Sequence, residues 1–352
     1  MSDTEKYVEL YKKYRPRVWD DIIGQSAAVD SVRKSVLNLT IPTGYVFFGP
    51  AGCGKTSTAF ILAKALNCEN LQENGNPCNE CATCKGIDNN AQFGLQYVSM
   101  ANRGSVEDIR KLVGEAQLAQ PIKHQVWILD ECHRLSPAAW DALLIPLESE
   151  KTKTLFIFCS TEPDKIPKTI LSRVQTRTFN PVDMKTLATN LAKIVKEENL
   201  SVSKEDIISA VRSANGSVRQ SIGNLETLIS NGSLPEEYGD KVLNLLASNK
   251  YTDVYALTTE MQSKGQNFTE SASRLYRDLS QALVIKAGGT VPGAQPALKT
   301  TADLLSPNLI IKYLDVVGNT ITLMSRNTVD SRILFDIALS KIVAIKRTSK
   351  EG

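Results

Sequence analysis

Tyr45-Val46-Phe47-Phe48-Gly49-Pro50-Ala51-Gly52-Cys53-Gly54-Lys55-Thr56-Ser57 is the stretch on which the reading of this chain turns. Its first four residues are β-branched or aromatic and stop at a glycine, as a short buried strand does. Gly49 to Thr56 fit G-x-x-x-x-G-K-[ST], and Lys55 to Leu66 continue in a helical pattern. Glycines at that junction let backbone N–H groups converge on a polyanion without Cβ clashes. The helix N-terminus adds its partial positive charge. On this reading Gly49, Pro50, Ala51, Gly52, Cys53 and Gly54 wrap the phosphates of a nucleotide. Lys55 holds the β- and γ-phosphates, Thr56 ligates Mg²⁺, and Ser57 stands beside it. The plainer alternative is a glycine-rich strand-to-helix turn that binds nothing.

Three further runs, Leu95 to Ser99, Val126 to Leu129 and Leu155 to Cys159, share the strand pattern, with helical segments between them. They predict an α/β domain with a parallel sheet. Val126-Trp127-Ile128-Leu129-Asp130-Glu131 matters most, because an apolar strand ending in two carboxylates delivers them beside the phosphate loop. Asp130 is expected in the Mg²⁺ shell, and Glu131 is expected to orient and polarise an attacking water. Two acids at any exposed strand end would look the same in isolation; their pairing with Lys55-Thr56 gives them meaning. Asp130-Glu131-Cys132-His133 also spells the D-E-x-H box known from helicases, with His133 either a coupling residue or an ordinary loop histidine. Ser136 as N-cap and Pro137 at the first position open a helix with Trp140, Leu143, Leu144 and Leu147 on one face.

After Asn180-Pro181 only helical patterns remain. Met184, Leu187, Leu191, Ile194 and Val195 line one stripe, and Ser203 with Asp206 resembles a capping box. The expected organisation is an α/β nucleotide domain over residues 1–180, a small helical lid over 181–234, and a larger all-helical domain over 235–352. Ser230 to Glu237 reads as the linker, and Gly288 to Pro296 breaks the last domain. The chain has 352 residues and a formal charge of +3, which neither requires nor excludes nucleic acid. Met1 to Lys12 has no apolar core of a signal peptide, and no run approaches the length of a membrane span. A cytoplasmic protein with reduced cysteines and no membrane association is expected.

Cys68, Cys78, Cys81 and Cys84 have the spacing C-x₉-C-x₂-C-x₂-C in a polar stretch after the phosphate-loop helix. Four thiolates in one short segment suit tetrahedral Zn²⁺ in a structural role, since a closed shell leaves no position for substrate. Iron–sulfur ligation and unligated thiols are the competing readings. Cys53, Cys132 and Cys159 stand apart and read as small core or loop residues.

These pieces together resemble the AAA+ ATPase subunits of sliding-clamp loaders, specifically the gamma/tau type of bacterial DNA polymerase III. Tyr11-Lys12-Lys13-Tyr14-Arg15-Pro16 and Trp19-Asp20-Asp21-Ile22-Ile23-Gly24-Gln25 look like that family's entrance segment. So do Met100 to Arg110, Ser160 to Arg173, and the cysteine insertion itself over residues 68–84. The resemblance implies that Tyr11, Arg15 and Pro16 pack around the adenine. It implies that Thr161 is sensor 1, that Arg173 is an arginine finger reaching a neighbouring subunit's ATP, and that Arg219 is sensor 2. Asn102, Arg103 and Ser105 become candidate contacts to the DNA backbone, with Arg103 alternatively holding Glu131 idle. The resemblance also implies an oligomer, pentameric in type, with other loader subunits. A sliding clamp and primer–template DNA are its implied partners, ATP its fuel, Mg²⁺ and Zn²⁺ its cofactors, and the last domain its oligomerising collar.

Some positions depart from the pattern. Val174 stands where the family usually has cysteine after the finger, and Ile145-Pro146 stands where Lys-Thr is usual, so Pro146 is expected to kink or shorten its helix. Family chains usually continue well beyond the third domain, whereas this sequence stops at Gly352, which a short or phage-encoded loader would fit. The rival reading is a DNA-dependent motor, a DExH helicase or branch-migration ATPase, which shares both nucleotide motifs. A helicase of that class needs a second strand-rich half, and nothing after Asn180 offers one. A non-hydrolysing scaffold subunit and an AAA+ unfoldase are further rivals.

Overall fold

The structure, a computed structural model, describes residues 9–89, 94–100, 106–116, 123–149, 154–231, 238, 241–243, 252–291, 296–326 and 329–348. The chain divides into two compact units, Met1–Leu234 and Pro235–Gly352.

The first unit is built on five parallel strands: β1 (Gly44–Phe48), β2 (Leu95–Ser99), β3 (Gln125–Asp130), β4 (Thr154–Ser160) and β5 (Gln175–Thr178). Their spatial order is β2-β3-β4-β1-β5. β4 is buried along its whole length and β3 along all but its last residue, as strands covered on both faces must be. Successive side chains serve opposite faces. Tyr45, Phe47, Val126, Ile128, Leu155 and Ile157 join one core with the helices Ser26–Leu37 and Lys55–Asn67. Val46, Trp127, Leu129, Phe156 and Phe158 join the other, with the helices Val106–Ala116 and Pro137–Glu148.

Four of these strands coincide with the apolar runs of the sequence. β5, Gln-Thr-Arg-Thr, has no apolar residue and is largely exposed. It is an edge strand paired only to β1, and such a strand can form from backbone hydrogen bonds without a hydrophobic signature. Pro146 does not cut its helix short. It lies in the last turn, and the helix ends two residues later at Glu148, where a missing N–H removes only one bond.

β1 lies between β4 and β5, whereas β2 lies beyond β3. The crossover from β1 to the far side of the sheet opens a crevice at the C-terminal strand ends, the general ligand position of such sheets. Three helices, Met184–Glu197, Lys204–Ser213 and Val218–Asn231, come after β5 and enclose a core of Leu187, Leu191, Ile207, Val211 and Leu225. They are joined to the sheet by Gln25, whose amide donates to Asn180 O (2.6 Å) and accepts from Asn180 N (3.0 Å).

The second unit, among its described residues, is helical: Thr252–Ser263, Phe268–Lys286, Pro296–Leu304, Pro307–Ser325 and Ser331–Thr348. Its core gathers Met261, Leu275, Leu279, Ile310, Tyr313 and Phe335. Asn267 caps the second of these helices and Ser306 the fourth, each satisfying N–H groups that the first turn leaves open.

Ile157 sits at the centre of β4 with no exposed surface. Ile157→Ala should cost about 2–5 kcal/mol of stability. A urea titration should show a lower midpoint with little change in slope.

Candidate functional site

Gly49 comes directly after β1, and its N–H donates to Ser160 O at the end of β4 (3.2 Å). Gly49, Gly52 and Gly54 all have positive φ, which L-residues avoid. A Cβ on Gly49 would lie 2.0 Å from Phe179 O, and one on Gly52 would lie 2.1 Å from Ser217 Oγ. The loop is thus pressed against the sheet on one side and the three-helix bundle on the other. Val218 N–H donates to Gly52 O (3.1 Å) and Arg219 N–H approaches the same oxygen (3.4 Å). The structure therefore brings Arg219 to the phosphate loop, on the first turn of its helix.

Lys55 is buried, and burial lowers its pKa. Its Nζ donates to Gly49 O (2.7 Å) and Pro50 O (2.8 Å). An ammonium held only by carbonyl dipoles of its own loop would gain from an anion. Thr56 Oγ1 donates to Asp130 Oδ2 (3.0 Å), and Glu131 N–H donates to Asp130 Oδ1 (3.0 Å). Ser57, Pro50, Ala51 and Cys53 lie on the same loop and helix start, with the Cys53 thiol 3.7 Å from Gly216 O. Cys53, Cys132 and Cys159 are buried, and burial pushes their thiols up.

Glu131 adopts φ +56°, an uncommon state for a glutamate and a local strain. Its Oε2 meets His133 Nε2 at 3.3 Å, and the same nitrogen meets Glu162 Oε1 at 3.3 Å. His133 Nδ1 lies 3.3 Å from Ser160 Oγ. β4 ends at Ser160, so Thr161 is the first residue beyond the strand and half-buried.

Arg15 is exposed to solvent but lies over the phosphate-loop helix, with its guanidinium 4.5 Å from the centre of the Phe60 ring. Burial lowers its pKa, and the charges of Asp88 and Asp130 raise it. Phe60 packs against Tyr97 (5.5 Å between ring centres), whose hydroxyl donates to Asp130 Oδ2 at 3.1 Å. Burial and the Asp130 charge push Tyr97 up to about 12. Tyr11 and Pro16 flank Arg15, Tyr11 being exposed. Sequence reasoning missed Phe60, Tyr97, Ser217 and Glu162. The one available signal was Tyr97, an aromatic residue near the C-terminal end of a predicted strand.

Arg173 is elsewhere. Its carbonyl accepts from Thr43 Oγ1 (3.3 Å), just before β1 begins. β1 separates that point from Gly49 by five residues, about 16 Å of strand, out of reach of an arginine side chain. The guanidinium donates to Glu148 Oε1 (2.8 Å) and Thr169 O (2.7 Å). Asn102, Arg103 and Ser105 lie outside the described residues.

The four thiols Cys68, Cys78, Cys81 and Cys84 converge, with all Sγ atoms within 4.8 Å of one another. A tetrahedron with metal–sulfur bonds of about 2.3 Å has edges of about 3.8 Å, and Cys78 Sγ to Cys84 Sγ is 4.0 Å. Backbone N–H groups point at three of these sulfurs: Cys78 N to Cys68 Sγ (3.3 Å), Cys81 N to Cys78 Sγ (3.3 Å) and Cys84 N to Cys81 Sγ (3.4 Å). Burial raises the Cys78 thiol, but the N–H groups of Glu80 and Cys81 and the neighbouring thiols outweigh it and bring Cys78 down to about 6. This donor set fits a soft tetrahedral cation.

The profile of the family described as "DNA polymerase III, delta subunit" matches residues 24–183. DNA polymerase III subunit tau of Bacillus subtilis is 29% identical, over 96% of this chain and 63% of its own. The gamma/tau subunit of Mycoplasma pneumoniae is 33% identical, over 84% of this chain and 44% of its own. The gamma subunit of Buchnera aphidicola is 32% identical, over 74% and 70%. The chain thus spans about half to two thirds of the length of most of these relatives. Among solved structures, the RuvB Holliday junction branch migration motor of Thermotoga maritima is 15% identical with a TM-score of 0.47, over 72% of this chain and 86% of that one, a likeness too slight to bear on function. No described helix is long and apolar enough to cross a membrane.

The Arg173–Glu148 pair is exposed on both sides, and such pairs contribute at most about 1 kcal/mol. Arg173→Ala should therefore melt within a few degrees of the parent in calorimetry. With identity of this level reaching across 70% of a gamma subunit, the chain belongs to the DNA polymerase III gamma/tau subunit family.

Proposed function

We propose that this chain is an ATP-hydrolysing AAA+ subunit of a sliding-clamp loader, in which each nucleotide is completed by a neighbouring subunit. The observation that carries the reading is the separation of Arg173 from its own phosphate loop by the length of β1. An arginine at that edge can meet a transferring phosphoryl group only in another chain. Family membership supports the loader assignment.

Lys55 would exchange Gly49 O and Pro50 O for phosphate oxygens, and the loop N–H groups would complete the cradle. Thr56 and Asp130 fit a hard divalent cation, and Mg²⁺ there would neutralise charge on the phosphates. Glu131 is the base for the attacking water, and its carboxylate must turn from His133 to reach it. Thr161 and Arg219 would face the phosphates from the end of β4 and from the bundle; Arg173 of the neighbour would add the last cation. A finger supplied in trans is worth about 10³–10⁵ in rate in related phosphoryl transfers, so hydrolysis would depend on assembly. Tyr11, Arg15 and Pro16 would wall the base, and residues 181–234 would act as the lid.

The partners proposed are other loader subunits in a pentamer-like spiral, a sliding clamp, and primer–template DNA, in the cytoplasm. Asn102, Arg103 and Ser105 would touch the DNA backbone, because a loader must accept any sequence. The second unit would form the collar. A Zn²⁺ ion in the Cys68, Cys78, Cys81 and Cys84 site is part of the proposal. Among the described residues beyond Thr178 every element is a helix, so none of them belongs to a second sheet.

Steady-state ATPase, measured with co-encoded partners, should rise when primer–template DNA and clamp are both added. Glu131→Gln and Arg173→Ala should each lower it by about 10²-fold or more. Stimulation by DNA alone, with strand separation and no effect of clamp, would overturn the loader reading in favour of a motor. Metal analysis should find one Zn²⁺ per chain, lost in Cys81→Ser.

A further inference from the structure

The first two thiols of the cysteine cluster, Cys68 and Cys78, bracket nine residues, Glu69 to Pro77. The tip of that loop is not free. Gln72 N–H donates to Asn76 O (3.0 Å) and Gly75 N–H to Gln72 O (2.8 Å), a turn that sets Gly75 at φ +82°. The turn presents two groups to a single residue far upstream. Trp19 Nε1 donates to Gly75 O (2.8 Å), and Trp19 N–H donates to Asn76 Oδ1 (3.1 Å). The other end of the Asn76 amide donates to Asp20 Oδ2 (2.9 Å). Trp19 is 1% exposed and Asn76 5%, so the two Trp19 bonds are shielded from water and costly to leave unmade.

Trp19 anchors the segment that borders the phosphate loop. Four residues before it, Arg15 lies over Phe60 of the phosphate-loop helix. Three residues after it, Ile22 faces Gly54, 3.5 Å from where a Cβ would be. A second tie runs through Lys64, buried on the phosphate-loop helix, whose Nζ donates to Asn79 Oδ1 between Cys78 and Cys81 (2.6 Å) and pairs with Asp88 at the end of the helix Ala82–Asp88 (3.0 Å).

We propose that the Cys₄ module is a metal-dependent brace on the nucleotide site: the ion closes the 68–78 loop, and the closed loop is the socket that fixes Trp19 and the wall it carries. A nine-residue polar loop without its clip regains the entropy that closure removes. Its tip then no longer offers Gly75 O and Asn76 Oδ1 in fixed positions. The inference rests on the nucleotide reading of the phosphate loop.

The test is Mg²⁺-methylanthraniloyl-ATP binding to the full chain, zinc-loaded and zinc-stripped, the chelator being dialysed away before magnesium is added. Stripping should weaken binding by about tenfold. Zinc-loaded Asn76→Ala should weaken it by about threefold, and stripping that variant should add less than stripping the parent, because both changes empty one socket. The fluorescence that the parent has and Trp19→Phe lacks should shift to the red on stripping. Equal affinities of loaded and stripped parent, or parent-like binding by Asn76→Ala, would overturn the brace while leaving the nucleotide site standing. A chain that takes up no zinc would overturn it too. A zinc-loaded parent that binds no nucleotide would bring down the nucleotide reading and the brace together. If circular dichroism shows that the stripped parent unfolds, zinc-loaded Asn76→Ala decides alone.

Discussion

No side chain fits where the phosphate loop turns. At Gly49 a Cβ would enter the carbonyl of Phe179, and at Gly52 it would meet the hydroxyl of Ser217. These are different neighbours, one at the end of β5 and one at the start of a helix in the bundle. The loop is therefore held at these two glycines between two parts of the first unit, and its backbone groups are what it offers to Lys55, to the bundle and to an anion. Lys55, Thr56, Asp130 and Arg219 take their positions from that constraint, the first two because the helix starts there and the last because Val218 and Arg219 reach Gly52 O.

The parts of this arrangement that were legible in the sequence are those governed by local rules. β1, β3 and β4 are continuous apolar runs because both faces of the sheet are covered, and Ser136, Ser203 and Ser306 cap helices by the chemistry of their hydroxyls. β5 was not legible, because its pairing to β1 rests on backbone bonds. Tyr97 reaching Asp130, and Trp19 reaching Gly75, were not legible either: each bond joins residues more than thirty positions apart, and no periodicity encodes such a pair. The four cysteines were conspicuous by spacing, while the N–H groups aimed at their sulfurs depend on turns such as the one at Asn79, φ +59°.

The resemblance to loader subunits named Arg173 as a residue acting on a neighbour, and the fold supplies a physical reason for it. Parallel strands put their C-terminal ends on one edge, where Asp130 and Gly49 lie, and their N-terminal ends on the other. Arg173 precedes β5 and so belongs to the second edge, alongside Thr43. No rotamer change brings it back across five residues of strand. On the proposed reading, hydrolysis that uses this arginine involves more than one chain, and its exposed pairing with Glu148 lets it exchange partners at little cost.

A similar exchange is written into the acid at the end of β3. Glu131 does not point into open space, since His133 Nε2 lies between its carboxylate and that of Glu162. Either contact is attractive only if that nitrogen carries a proton, and then one donor is shared by two acceptors at 3.3 Å, a weak hold on each. Glu162 is held independently by Lys165 at 2.9 Å, so His133 need not be lost to Glu162 when Glu131 turns. The residue expected to handle water is thus tethered lightly, beside a partner that can release it without itself becoming unpaired.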